Sequence, residues 1–199
     1  MAGQQHSKNK NSTASSGQLR IIGGTWRGTK LSVTHTEGIR PTPNRVRETL
    51  FNWLITDIYG AKCLDLFAGT GALGLEALSR GAKSCQFIEQ SVVACRQLQN
   101  QLQQLAVEPV QLENFEAVSW LRRPPNTQFN IVFLDPPYHQ GLVDRCCKLL
   151  IEQHWLTENA AIYIEMASDE APPSLQDHWE LHREKVAGQV CYRLYYQQL

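Results

Sequence analysis

The stretch Cys63-Leu64-Asp65-Leu66-Phe67-Ala68-Gly69-Thr70-Gly71-Ala72-Leu73-Gly74-Leu75-Glu76-Ala77-Leu78 admits few folds. Leu64, Leu66 and Phe67 read as a short buried strand. Gly69 and Gly71 follow at once, and without a Cβ they let the backbone turn sharply and approach a ligand closely. Leu73, Leu75, Ala77 and Leu78 then start a helix that packs back on the sheet. Strand, glycine turn and helix in that order point to an open α/β sheet. The free N–H groups at the helix start face the crevice beyond the strand end, where ligands of such sheets bind.

Gly69-Thr70-Gly71-Ala72-Leu73-Gly74 also fits the dinucleotide fingerprint, a weak signal alone. Asp65 argues against that reading. It sits inside the strand, where a dinucleotide fold needs no acid, and a buried acid must be paired or hydrogen-bonded. An acid suits a cationic ligand such as the sulfonium and ammonium of S-adenosylmethionine; the alternative is that Asp65 caps local backbone N–H groups. Glu89 ends the second strand, 20 residues after Gly69. An acid there accepts hydrogen bonds from a ribose diol, in nicotinamide and adenosylmethionine cofactors alike; a surface glutamate is the plainer reading. Glu116 follows the third strand and is placed to reach an adenine, with Asn114 competing for that role.

The alternation continues along the chain. Strands are expected at 84–89, 109–113, 129–134 and 160–165, with helices at 92–105, about 115–121 and 142–154. Phe129 to Leu134 is apolar, as for a strand buried on both faces. Repeated β-α units predict a parallel sheet with right-handed crossovers, and 179–185 with 190–196 read as a closing antiparallel hairpin about Gly188. Before the glycine turn, residues 1–18 are polar and read as a disordered tail. Residues 19–31 look like a hairpin turned by Gly23-Gly24 and Gly28, with its basic residues and Trp26 projecting or Trp26 packed on the body. A helix follows, capped by Thr42 with Pro43 at its first position and an apolar face of Val46, Leu50, Trp53 and Leu54.

With 199 residues and 42% hydrophobic composition, the chain suits one larger domain plus an appendage. No apolar run approaches the roughly 20 residues of a membrane helix, and the N-terminus lacks a signal segment. Six cysteines without a C-x-x-C pair read as reduced thiols of a cytoplasmic protein with no metal site. The zero net charge hides an asymmetry. Residues 1–62 hold nine Lys/Arg against three Asp/Glu, a balance of +6, and the remainder ten against sixteen, −6. A basic arm on an acidic body suggests a polyanion partner, with Arg20, Arg27, Lys30, Arg40, Arg45 and Arg47 as its contacts; a solvated basic face is the plainer reading. Arg45 and Arg47 stand in a first helical turn, where the macrodipole disfavours cations. An anionic partner is implied: a cofactor carboxylate, an RNA phosphate or a neighbouring acid.

Asp135-Pro136-Pro137-Tyr138 follows the fourth strand directly, so it sits on the same edge as the glycine turn. Two prolines fix the backbone and leave the Pro136 carbonyl free to accept. Asp135 is a second acceptor and Tyr138 a flat ring for stacking. Such a set grips a planar amino group and holds its nitrogen in line with a methyl donor.

At these residues the chain resembles the class I S-adenosylmethionine-dependent methyltransferases that modify exocyclic or side-chain amines. More closely, it is similar to the RsmD family of 16S ribosomal RNA guanine-N2 methyltransferases. The resemblance runs from about Leu19 to Tyr196. It rests on Arg20-Ile21-Ile22-Gly23-Gly24, Trp26-Arg27-Gly28, Arg40-Pro41-Thr42, the run from Arg45 to Asn52, Phe67-Ala68-Gly69-Thr70-Gly71, Asp135-Pro136-Pro137-Tyr138 and the stretch from His182 to Val190. The chain departs from it at Asn44 and Ser91, where members often carry acids, and at Glu116, where many have Asn or Asp.

The resemblance implies a Rossmann-like α/β fold: a mostly parallel seven-stranded sheet with an antiparallel closing hairpin, over 59–199, and a small RNA-binding hairpin and helix extension over 19–58. It implies methyl transfer from S-adenosylmethionine, bound by Asp65, Phe67, Gly69, Gly71, Glu89 and Glu116, to a guanine N2 of 16S rRNA. That guanine is extruded, stacked on Tyr138 and gripped by Asp135, Pro136 and Pro137. The implied substrate is the small ribosomal subunit or its assembly intermediate, and the enzyme a monomer. Other readings are an adenine-N6 DNA methyltransferase, for which the short chain lacks a target-recognition domain, and a protein glutamine methyltransferase. A nicotinamide-dependent oxidoreductase leaves Asp65 and Asp135-Pro136-Pro137-Tyr138 unexplained, and a non-catalytic RNA-binding module leaves the glycine turn unexplained.

Overall fold

A computed structural model of the chain describes residues 16–34, 42–109, 111–175 and 179–198. Residues 1–15 of the tail expected over 1–18, and Arg40 with Pro41, lie outside them. Ser16–Arg20 (β1) pairs antiparallel with Lys30–Thr34 (β2), so residues 16–18, expected in the tail, are strand. Asn44–Trp53 (α1) follows. The repeating part comprises Lys62–Asp65 (β3), Ala72–Ser79 (α2), Ser84–Glu89 (β4), Val92–Gln104 (α3), Leu112–Asn114 (β5), Ala117–Leu121 (α4), Phe129–Leu134 (β6), Leu142–Glu152 (α5), Leu156–Ala167 (β7), Trp179–Ala187 (β8) and Val190–Gln197 (β9). β5 starts three residues later than expected.

The main sheet runs β5-β4-β3-β6-β7-β9-β8. Its first five strands are parallel, and β9 is antiparallel to both β7 and β8. From β3 the chain winds outward through β4 and β5, then returns to the other flank of β3 as β6. The strand order reverses between β3 and β6, which opens a crevice at their carboxyl ends.

Side chains alternate across the sheet with the strand period of two. On β6, Ile131 and Phe133 join a core cluster with β1, β2, α1, α2 and α3, whereas Val132 and Leu134 join a second with α4 and α5. The N-terminal hairpin thus shares a core with the sheet. Leu19, Ile21, Leu31 and Val33 are buried in it, and Trp26 packs partly against it.

A single acid fastens this hairpin. Glu76 of α2 is fully buried and accepts the N–H groups of Ile22 (2.8 Å) and Gly23 (2.7 Å). It also accepts from Arg80 Nε at 2.8 Å and pairs with Arg47 Nη1 at 3.5 Å. The loop lies so close to the end of α2 that a Cβ on Gly24 (φ 75°) would stand 1.8 Å from the Ser79 carbonyl oxygen. Arg47 is fully buried and also donates to the carbonyl of Arg20 and to Asn44 Oδ1. The expectation that Arg47 contacts RNA is therefore corrected: the anion that answers its place in the first turn of α1 is a neighbouring acid.

Candidate active site

The turn after β3 ends with Gly71 in the left-handed region (φ 76°), and no local side chain caps α2. Asp65 supplies the cap from the adjacent strand, where its Oδ2 accepts the Gly74 N–H at 3.0 Å. An anion beside a helix N-terminus is favoured. Burial dominates nevertheless and raises the Asp65 carboxyl to about 7, with the Gly74 bond opposing and Asp135 and Glu89 adding repulsion. Asp65 thus caps backbone, as the plainer reading has it, and also lines the crevice.

At the end of β4, Glu89 accepts the N–H of Gly69 (2.8 Å) and of Ser91 (2.6 Å), one on each oxygen. These bonds aim the carboxylate across the turn and leave further lone pairs for a ligand diol. Asn114 braces the same loop by donating to the carbonyls of Glu89 and Gln90. Glu116 lines the crevice, and its oxygens accept from Val118 N–H and Ser119 N–H as the cap of α4. Burial acts to raise its carboxyl, but these hydrogen bonds outweigh it and hold the group below its ordinary value.

Across the crevice, β6 delivers Asp135, Pro136, Pro137 and Tyr138. Burial raises the Asp135 carboxyl to about 6 against the opposing hydrogen bond of Thr42, whose Oγ1 donates to Asp135 Oδ2 at 3.2 Å. That contact corrects the sequence reading of Thr42 as a helix cap. Pro43 occupies the cap position of α1, and no side chain caps that helix. Beside Asp135, at the end of β7, stands Glu165, 2% exposed, with Oε1 accepting from Tyr163 Oη at 2.8 Å. Burial, with Asp135 adding repulsion, pushes its carboxyl well above the usual range.

These groups share one open cleft of about 1340 Å³, lined from β3 and β4 by Asp65, Phe67, Gly69 and Glu89, and from β6 by Asp135 to Tyr138. It exceeds the roughly 300–1,000 Å³ of small-ligand pockets, which leaves room for a small ligand and for part of a larger molecule. A side cavity of about 170 Å³ opens beneath Pro136, Pro137 and Tyr138 and reaches Glu165. Gly71 is the exception among the expected ligand contacts. It is buried against Leu98 and Leu75 and shapes the turn from behind, away from the cleft wall. Among the expected basic contacts, Arg20, Arg27, Lys30 and Arg45 are exposed.

Sequence reasoning missed Thr42, Tyr163 and Glu165 as site residues. A signal existed for Glu165: an acid at the end of an apolar strand, the same pattern that singled out Asp65 and Glu89. Among the described residues, no group of His, Cys, Asp and Glu is placed to hold a metal ion, and no helix is long and apolar enough to cross a membrane. The six cysteines are buried free thiols.

Comparison with known proteins yields a family model described as conserved hypothetical protein 95, matching residues 19–196. Ribosomal RNA small subunit methyltransferase D of Escherichia coli strain K12 is 51% identical over 180 residues, covering 90% of each chain. The protein of the same name from Haemophilus influenzae is 47% identical, covering 90% of this chain and 94% of its own. The solved structure of yhhF from Escherichia coli superposes with a TM-score of 0.84 at 47% identity, covering 92% of this chain and 99% of the other.

Proposed function

The chain belongs to the family described as conserved hypothetical protein 95, the RsmD family, and from that premise we propose that it transfers a methyl group from S-adenosylmethionine to the exocyclic N2 of a guanine in 16S ribosomal RNA. Methylation of small-subunit rRNA is supported by the names of the relatives. The donor and the guanine N2 are the finer reading. It is carried by one observation: Asp65 and Glu89 face Asp135-Pro136-Pro137-Tyr138 in a single cleft.

The residues fit S-adenosylmethionine by their chemistry. A buried acid, Asp65, with raised proton affinity and no cationic partner among the described residues favours a positively charged ligand, and the Glu89 carboxylate retains acceptor capacity for a diol. When bound, the donor supplies an electrophilic methyl on a sulfonium. Asp65, Phe67, Gly69 and Glu89 hold it in this reading, with Glu116 at the adenine end. Asp135 and the Pro136 carbonyl accept hydrogen bonds from the guanine amino group, Pro137 fixes that turn, and Tyr138 stacks on the extruded base. Catalysis rests on proximity and alignment. The amine becomes acidic only as its new bond forms, so no strong base acts first, and the proton passes afterwards to Asp135 or water.

Exposed Arg20, Arg27, Lys30 and Arg45 hold RNA phosphates in this reading, and an unpaired guanine presented by the folded RNA sets the choice of base. The enzyme acts as a cytoplasmic monomer on the small subunit or its assembly intermediate. The test is incubation with labelled donor and either naked 16S rRNA or small subunits, followed by nucleoside mass analysis. N2-methylguanosine is expected with one of them. Methyl on adenine N6, on protein, or on neither substrate overturns the assignment.

A further inference from the structure

Thr42 lies where the N-terminal extension meets the cleft. Pro43 disfavours helical backbone at Thr42, which keeps the residue out of α1. Its side chain, 8% exposed, serves Asp135 in place of the helix. The Thr42 hydroxyl therefore ties the N-terminal extension to the carboxyl that follows β6. Nearby on β7, Glu165 accepts from Tyr163 Oη at 2.8 Å. The titratable groups facing Asp135 are Asp65 from β3 and Glu165 and Tyr163 from β7, with Tyr192 of β9 behind Tyr163. No ion pair to Lys, Arg or His reaches Asp65, Asp135 or Glu165 among the described residues.

We infer that Thr42 is a positioning residue for the methyl-transfer reaction: its hydroxyl pins Asp135 Oδ2 and leaves Oδ1 to accept from the target amine. The inference rests on the role of Asp135 proposed above. A carboxylate free to rotate about its last torsion offers either oxygen in many directions. One fixed through a hydroxyl offers a single acceptor direction, which is what alignment requires. A donated hydrogen bond also favours the ionised form of Asp135.

The test compares Thr42→Val, which removes the donor at equal size, with Thr42→Ser, which restores it; Thr42→Ala is the second donor-free variant should the first not fold. In Thr42→Val, kcat is expected to fall about 10-fold or more, while both KM values stay within about threefold. The acid limb of kcat moves to higher pH, and Thr42→Ser restores rate and limb together. The carboxyl-carbon resonance of Asp135, followed by NMR against pH, reads the same bond without turnover and should titrate at higher pH in Thr42→Val. Failure of the guanine-N2 assignment therefore leaves this arm intact. An Asp135 titration unmoved by loss of the hydroxyl overturns the inference, as does a loss of kcat that Thr42→Ser fails to restore.

Discussion

Two buried groups of acids in this molecule make an instructive pair. Glu76 is fully buried in the core and meets four donors: two backbone N–H groups and two guanidinium groups. Asp65 and Glu165, with half-buried Asp135 between them, lie at the carboxyl ends of adjacent strands. Each has a donor or two, and no cation reaches them among the described residues. The residue types and the depth are similar; the number of compensating partners is not. Where donors suffice, a buried acid fastens two parts of a chain. Where they fall short and like charges crowd, protons are held tightly, and the site gains by taking up a cation or an amine.

The largest effect expected from breaking this contrast is on stability. Glu76→Ala leaves Arg47 buried without its partner, which should cost about 3–5 kcal/mol by denaturant titration. The surviving folded fraction should keep its turnover per molecule. Asp135→Ala should do the reverse: a loss of about 10²-fold in single-turnover rate, by analogy with removing one preorganised hydrogen-bonding group, with affinity for S-adenosylmethionine little changed. Rates near wild type remove Asp135 from the amine site. Glu89→Ala should weaken S-adenosylmethionine binding by about 1–3 kcal/mol in calorimetry, and unchanged affinity in a folded variant excludes Glu89 from the site.

Asp65→Asn sharpens the contrast in sign. Folding raises the Asp65 carboxyl from 3.8 to about 7, so the folded state binds the proton more tightly than the unfolded one. That contribution to stability is present below pH 4 and is lost as pH rises through 7. Asp65→Asn should therefore make the free protein more stable than wild type at pH 8, by about 1 kcal/mol or more, with the gap closing towards pH 5. The smallest effect concerns the exposed basic face. The double change Arg27→Ala, Lys30→Ala should lower the salt slope of RNA binding by about 2 and leave binding of S-adenosylmethionine alone. An unchanged slope moves the RNA contact elsewhere, Arg183 and Lys185 on exposed β8 being next in line.

What was legible from sequence follows the same division. The strand, glycine turn and helix at 62–79, and Asp135-Pro136-Pro137-Tyr138 after β6, are local patterns whose meaning is set by neighbours in the chain, and the sheet order brings them together. Glu76, Arg47 and Thr42 were misread or passed over because a deciding partner of each, Ile22, Glu76 and Asp135 respectively, lies 29 to 93 residues away. A charge in a first helical turn, or a threonine before a proline, carries no mark of such a partner. Arg47 looked like part of a basic surface until the fold enclosed it. Gly71 looked like a ligand contact because the turn needs glycine, but the need comes from its left-handed backbone and from Leu98 behind it.

The most direct measurement of the central claim, that the buried acid at the end of β3 binds the cationic donor, is the affinity for S-adenosylmethionine by calorimetry from pH 5 to pH 8.5. The carboxyl of Asp65, raised by burial to about 7, must ionise to receive the cation. Affinity should be flat above pH 7.5 and fall as pH drops through 7, approaching about tenfold per unit. NADH should fail to bind at any pH in the range. Affinity for S-adenosylmethionine that is independent of pH, or tighter binding of NADH, contradicts the account.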